Sequence, residues 1–307
     1  MSRGQNTTIR ENTHTESYLS TGEPLPTKTD KKESRAVGFT SLVERVNDAA
    51  MVQAAEDAYR LLGDAVYSSQ GIVSNTLKLR RGGEDTALWC GTLDVVPPGF
   101  PSIFGRDILV RLVIPTESQA YGKFSSLSGE YDPNNKSILL VLPTTFLPAV
   151  EPVPMFGSSY TDLPGRTEAS VVLATRLLGG HGLDVRKAFI HEAVHAMDDL
   201  RGVDFAQALS GVNAIGDSTY FENPVEVNAR FVETLHHFER SMKYGAFGDP
   251  EWFGRSFGYT AQEFALLFYD YLSSSASNGY EYSEETRRSI LSRAAGEYER
   301  LRIKMGV

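Results

Sequence analysis

The hydrophobic period changes from helical to strand-like and back along this 307-residue chain, and that pattern restricts its fold more than any other feature. Between Ile72 and Pro143 the apolar residues fall in short runs: "GIVSNTLKLR", "TALWCGTLDVV", "DILVRLVIP" and "SILLVLP". These are rich in β-branched residues or leucine and are separated by Gly, Pro, Asn and Asp, which predicts the strands of a small sheet. "YDPNNKS" is turn chemistry, so "SSLSGEY" and "SILLVLP" on either side of it should pair as a hairpin. Pro143, Pro148, Pro152, Pro154 and Pro164 then mark a loop, since each removes a backbone donor and fixes φ. Beyond them the spacing becomes helical, with helices expected over about 167–178, 185–200, 224–243, 260–274 and 283–303. A further helix precedes the sheet. It is capped near Thr40 or Ser41, carries Leu42, Val43, Val46, Ala49, Ala50, Ala54, Ala58 and Leu61, and is ended or interrupted at Gly63 before resuming to about Ser69. Helix, sheet, then helices predict an α+β fold in two lobes.

Composition closes off several classes of function. A chain that is 41% apolar and 22% charged is an ordinary globular one with enough material for a sizeable core. Its net charge of -9 argues against nucleic acid or an anionic membrane as partner. No apolar run approaches the roughly 18 residues of a membrane helix. Cys90 is the single cysteine, which excludes an intrachain disulfide and a cysteine-ligated structural zinc; inside a strand-like run it reads as a small buried apolar residue. Residues 1–36 are rich in Thr, Ser, Glu and Lys and read as a disordered leader, with 37–307 as one domain. Such a leader is either a plain tail or an uncleaved export signal of the kind carried by injected bacterial effectors. The chain therefore reads as cytosolic, or as exported into a host cell without a cleaved signal peptide.

"FIHEAVHAMDD", Phe189 to Asp199, carries the chemistry. Asp184 can cap its helix and Gly202 can stop it. At 100° per residue Ile190, Val194 and Met197 form one stripe, facing the core, while His191, His195 and Asp198 form another with Glu192 beside it. Imidazoles at i and i+4 can share one tetrahedral zinc at about 2 Å. Glu192 sits too far round to be the best ligand, but it can take a proton from a water activated there. The plainer alternative is an amphipathic helix with exposed His and Glu.

A third ligand is needed, and "YFENPVEVNARFVETLHHFERSMKY" offers one. Asn223, Pro224 and Glu226 read as N-cap, N1 and N3 of a helix whose Val227, Phe231, Leu235 and Phe238 face the core. Glu226, Arg230, Glu233 and His237 form its polar stripe. Glu226 is the preferred ligand, Glu233 the runner-up and His237 a weaker choice, while Arg230 should pair with one of the glutamates. Otherwise Glu226 merely closes a capping box with Asn223.

His191-Glu192-x-x-His195, followed some thirty residues later by a Tyr-x-x-x-Pro-x-Glu-like stretch, resembles the gluzincin class of zinc metallopeptidases, and most closely the catalytic domains of anthrax lethal factor and the Pro-Pro endopeptidases. The resemblance covers roughly residues 105–245. It implies a zincin-like fold, with a sheet lobe and active-site helix over 37–202 and a helical lobe over 203–307. It implies zinc held by His191, His195 and Glu226, Glu192 as general base, and a protein or peptide substrate cut in the cleft between the lobes, as in a protease effector or toxin. It also implies an oxyanion-stabilising tyrosine. Tyr220 is nearest in place, although the gap to Glu226 is a residue shorter than in lethal factor, and Tyr259, Tyr269 or Tyr271 could substitute. Asp198 or Asp199 could accept the free N–H of a ligand histidine. The edge strand "SSLSGEY" could pair with extended substrate. The competing functions are a non-catalytic zincin-fold binding or structural protein and a small-molecule amidohydrolase.

Overall fold

The computed structural model describes residues 48–81, 87–116, 128–143, 168–179, 183–203, 205, 218–245, 248–275 and 280–307. The leader 1–36, the helix start at Thr40 and Ser41, and the proline-rich stretch after Pro143 lie outside them. The chain divides between Ala36 and Val37, and all that follows concerns the second unit.

Helix α1, Asp48–Ser68, buries Met51, Val52, Ala55, Ala58, Tyr59, Leu62 and Val66 along one stripe, the i, i+3, i+4 spacing of a core-facing helix. Gly63 neither ends nor interrupts it. A Cβ there would lie 2.3 Å from Cδ2 of Leu178, so the glycine serves close packing against α3, Glu168–Leu178.

The strands are β1 (Ile72–Asn75), β2 (Lys78–Arg81), β3 (Ala87–Val95), β4 (Leu109–Ile114), β5 (Gly129–Asp132) and β6 (Ser137–Val141), and a short helix α2, Pro101–Phe104, sits between β3 and β4. The sheet is mixed and open, in the order β1-β3-β4-β6-β5, with β2 also alongside β3. β4 and β6 are parallel, and the remaining pairs are antiparallel. The expected hairpin is β5–β6, with Asp132 opposite Ser137. Its turn is held by the Asp132 carboxylate, which accepts from the backbone N–H groups of Asn134 and Asn135 at 2.8 and 3.2 Å, the Asx geometry for which such residues are suited. Alternate residues Val110, Leu112 and Ile114 of β4, and Ile138 and Leu140 of β6, belong to one buried apolar cluster running from Met51 to Met305.

Helix α4, Leu183–Leu200, lies against β5 and β6 on one side and against α1 and α6 on the other. It is therefore buried on every face from Phe189 to Met197, not only along the Ile190–Val194–Met197 stripe. Gly202 stops it as expected. Its φ is +81°, and the N–H groups of Val203 and Gly202 reach back to the carbonyls of Asp198 and Asp199, a Schellman ending that favours glycine at that position.

Helices α5 (Ser218–Phe221), α6 (Pro224–Tyr244), α7 (Pro250–Phe257), α8 (Ala261–Ser275) and α9 (Glu284–Met305) complete the unit. Helices α2, α5 and α7 were not expected from the pattern. For α7 the signal is local: Asp249 caps it by accepting from Glu251 and Trp252 N–H, and Pro250 opens it, but eight residues give too few turns for a clear period.

Candidate metal centre

Two helices build the site. In α6, the Asn223 side chain accepts from the Val225 N–H at 2.9 Å and Pro224 supplies a preset φ, so the helix begins at a fixed point. Glu226 sits in its first turn, buried. It does more than cap the helix, because its carboxylate turns to the two histidines of α4. Glu226 Oε2 lies 3.2 Å from His191 Nε2, and Glu226 Oε1 lies 3.3 Å from His195 Nε2.

These distances test the fit of a metal. A tetrahedral ion with bonds of about 2.0–2.1 Å separates its ligand atoms by about 3.3–3.4 Å. The two nitrogen–oxygen separations are close to that edge but run to different oxygens of the carboxylate, and one ligand atom from each of His191, His195 and Glu226 lies within 4.8 Å of the others, so a small inward shift would close the set on an ion. The imidazole centroids are 4.8 Å apart at 84°, so the rings meet edge to face and do not stack. Buried His195 Nδ1 has no hydrogen-bond partner, so that ring is oriented by what its Nε2 faces. Two imidazoles and one carboxylate suit zinc. Among the described residues no fourth His, Cys, Asp or Glu joins this group, which leaves room for a further ligand from solution.

Glu233, the runner-up for the metal, has a different position. Its Oε2 is 3.0 Å from His191 Nδ1, the far side of the ring from Glu226, and its Oε1 is 3.1 Å from Lys187 Nζ. Glu226 and Glu233 share one face of α6, but His191 lies between them. Asp198 and Asp199 do not contact the ligand histidines as expected. Asp198 accepts from Asn228 at 2.8 Å and from Arg201 at 3.4 Å. Asp199 accepts from the Tyr131 hydroxyl at 2.8 Å and from Lys136 at 2.6 Å. Both carboxylates turn away because α4 presents them to α6 and to the β5–β6 hairpin. His237 is exposed and stacked on Tyr271 at 4.4 Å, so it is no ligand. Arg230 pairs with neither glutamate; its guanidinium lies 5.0 Å over the Phe221 ring.

Glu192 is 7% exposed and lies beside the Tyr131 backbone in β5. Strand β5 passes so close that a Cβ on Gly129 would lie 2.9 Å from Glu192 Cγ and 3.0 Å from its Oε1. The sequence offered no sign that this glycine, in an edge strand, makes space for the motif glutamate.

Tyr220, in α5, neighbours the Glu226 carboxylate. Burial and then the Glu226 charge push the tyrosine hydroxyl well above its ordinary range, so it stays a neutral donor. Of the other tyrosines considered, Tyr259 is exposed, Tyr269 packs on Tyr282, and Tyr271 is stacked on His237.

The charges respond to one another. Burial works to lower His191, but hydrogen bonds to Glu226 and Glu233 outweigh it and push the imidazole up to about 10. Burial works to raise Glu226, and the two imidazoles overcome it, holding the carboxylate well below its ordinary range. Glu233 is held low by His191 and Lys187 against the same burial effect. Glu192 is pushed up by burial, with His191 and His195 opposing. The two glutamates on His191 are therefore held anionic beside a protonated imidazole, and a cation bound at His191 would take the place of that proton.

Compared with protein-family models, with curated proteins and with solved structures, the chain matches none.

Proposed function

We propose that this chain is a zinc-dependent endopeptidase with a zincin-like fold, acting on a protein or peptide substrate. The observation that carries the reading is the convergence of His191 Nε2, His195 Nε2 and the Glu226 carboxylate on one point. The resemblance of "HEAVH" to the gluzincin motif, and the antiparallel edge strand β5 against α4, support the finer assignment.

His191, His195 and Glu226 would hold the metal. Zinc bound there would supply a lowered pKa for water and polarisation of a carbonyl. Glu192, displaced from the ligand set but adjacent to it, takes a proton from the attacking water and returns it to the leaving amine. Burial raises its proton affinity toward the value such a base needs. Tyr220, whose hydroxyl otherwise faces the Glu226 carboxylate, would turn it to the carbonyl oxygen as negative charge develops there. Among the described residues β5 ends the sheet, so its outer edge could pair with an extended peptide, which would then run past Glu192. No helix among the described residues is long and apolar enough to cross a membrane. Action in a host cell, as an effector or toxin, is the setting in which a leader such as residues 1–36 would serve.

Glu192→Gln tests the assignment. Zinc content should stay at the wild-type level while cleavage of a library-selected peptide falls by about 10²–10⁴-fold. Undiminished cleavage by this variant would refute Glu192 as the base.

A further inference from the structure

We propose that Lys187 is a positioning residue for the metal centre, acting through Glu233 on His191; the inference rests on the metal site described above. Lys187 and His191 are four residues apart on α4, hence on one face. A single carboxylate from α6 spans both, Oε1 at 3.1 Å from Lys187 Nζ and Oε2 at 3.0 Å from His191 Nδ1. The ammonium is also confined on its other side, 5.9 Å from the Tyr271 ring, which stacks on His237 of the same α6.

An exposed lysine–carboxylate pair contributes little, because water competes for both charges. This pair differs on two counts. The Glu233 side chain is only 9% exposed against 37% for Lys187, so its charge is desolvated and depends on the partners it has. Its second oxygen is committed to His191, so the lysine fixes the plane of a carboxylate that in turn fixes an imidazole. That imidazole presents its opposite nitrogen to the metal. Partners that hold a ligand histidine by its free N–H typically govern metal affinity by about 10–100-fold. Lys187 acts one link further out and belongs at the lower end of that range. Without it, Glu233 is free to rotate and His191 loses its fixed orientation.

The test is zinc affinity of the full chain by chelator competition, with the absorption of the cobalt(II)-substituted protein as a second readout. Lys187→Met should weaken zinc about tenfold and shift the cobalt bands, and Glu233→Gln should weaken it about 10–100-fold. Because the two residues form one chain of contacts, the double variant should be no worse than Glu233→Gln. Lys187→Arg should restore affinity to within about twofold, which a merely structural effect of the methionine would not predict. Wild-type zinc affinity in Lys187→Met, additive losses in the double variant, or failure of Lys187→Arg to rescue would each overturn the proposal while leaving the metal site intact. A wild-type chain that binds no zinc overturns both.

Discussion

Gly129→Ala separates stability from chemistry at this site. The added methyl would meet Glu192 Cγ at 2.9 Å, Oε1 at 3.0 Å and Cδ at 3.4 Å, whereas carbon atoms rest at about 3.5–4.0 Å. The glutamate carboxylate must therefore retreat by about 0.5–1 Å. The fold itself should tolerate this, because the clash is with a side chain and not with backbone, and alanine in a strand avoids the entropic cost of glycine. Stability should change by less than about 1 kcal/mol. Catalysis should not tolerate it, since a misplacement of about 1 Å costs about 10²-fold, or about 2.7 kcal/mol in the barrier. The assay is kcat/KM on a library-selected peptide, run beside zinc content and urea unfolding. Full activity in Gly129→Ala would refute the apposition of β5 and the base. Loss of zinc or of the fold would refute the claim that the effect is local.

Two further outcomes follow from the same geometry. If Tyr220 serves the developing oxyanion as proposed, Tyr220→Phe should lower kcat by about 10²–10³-fold with KM and zinc content little changed; an unchanged kcat in steady-state kinetics would remove Tyr220 from the mechanism. Arg293 of α9 binds Asp48 of α1 and donates at 2.8 Å to Asn228, which in turn donates to Asp198. Arg293→Met breaks this buried chain and should destabilise the fold by about 3–5 kcal/mol in urea unfolding, whereas a loss under about 1 kcal/mol would show that the network carries little.

The periodic elements were readable before any coordinates because each has a local cause. The strands announce themselves by composition, Gly202 by the helix it ends, and Asn223-Pro224 by the cap they form. Spacing also brought His191, His195 and Glu226 into view, since i, i+4 and N3 are positions on single helices. Distinguishing Glu226 from Glu233 was beyond spacing. The two are seven residues apart on one face, and only the packing of α4 on α6 puts one on each nitrogen of His191. The same holds for α4 itself: a stripe argument assigns one buried face, while β5 and β6 below and α1 and α6 above bury every face from Phe189 to Met197. Lys187, Gly129 and the buried His236, which is 2.9 Å from Glu56, were invisible for that reason, because their partners come from distant segments.

The central proposal is that His191, His195 and Glu226 would hold a metal while Glu233, bound to His191 and Lys187, would not touch it. Zinc titration of the full chain and of Glu226→Gln and Glu233→Gln tests it directly. The account predicts one equivalent in the wild type, loss of stoichiometric zinc in Glu226→Gln, and one equivalent bound about 10–100-fold more weakly in Glu233→Gln. Retention of tight zinc by Glu226→Gln, or no zinc in the wild type, would contradict it.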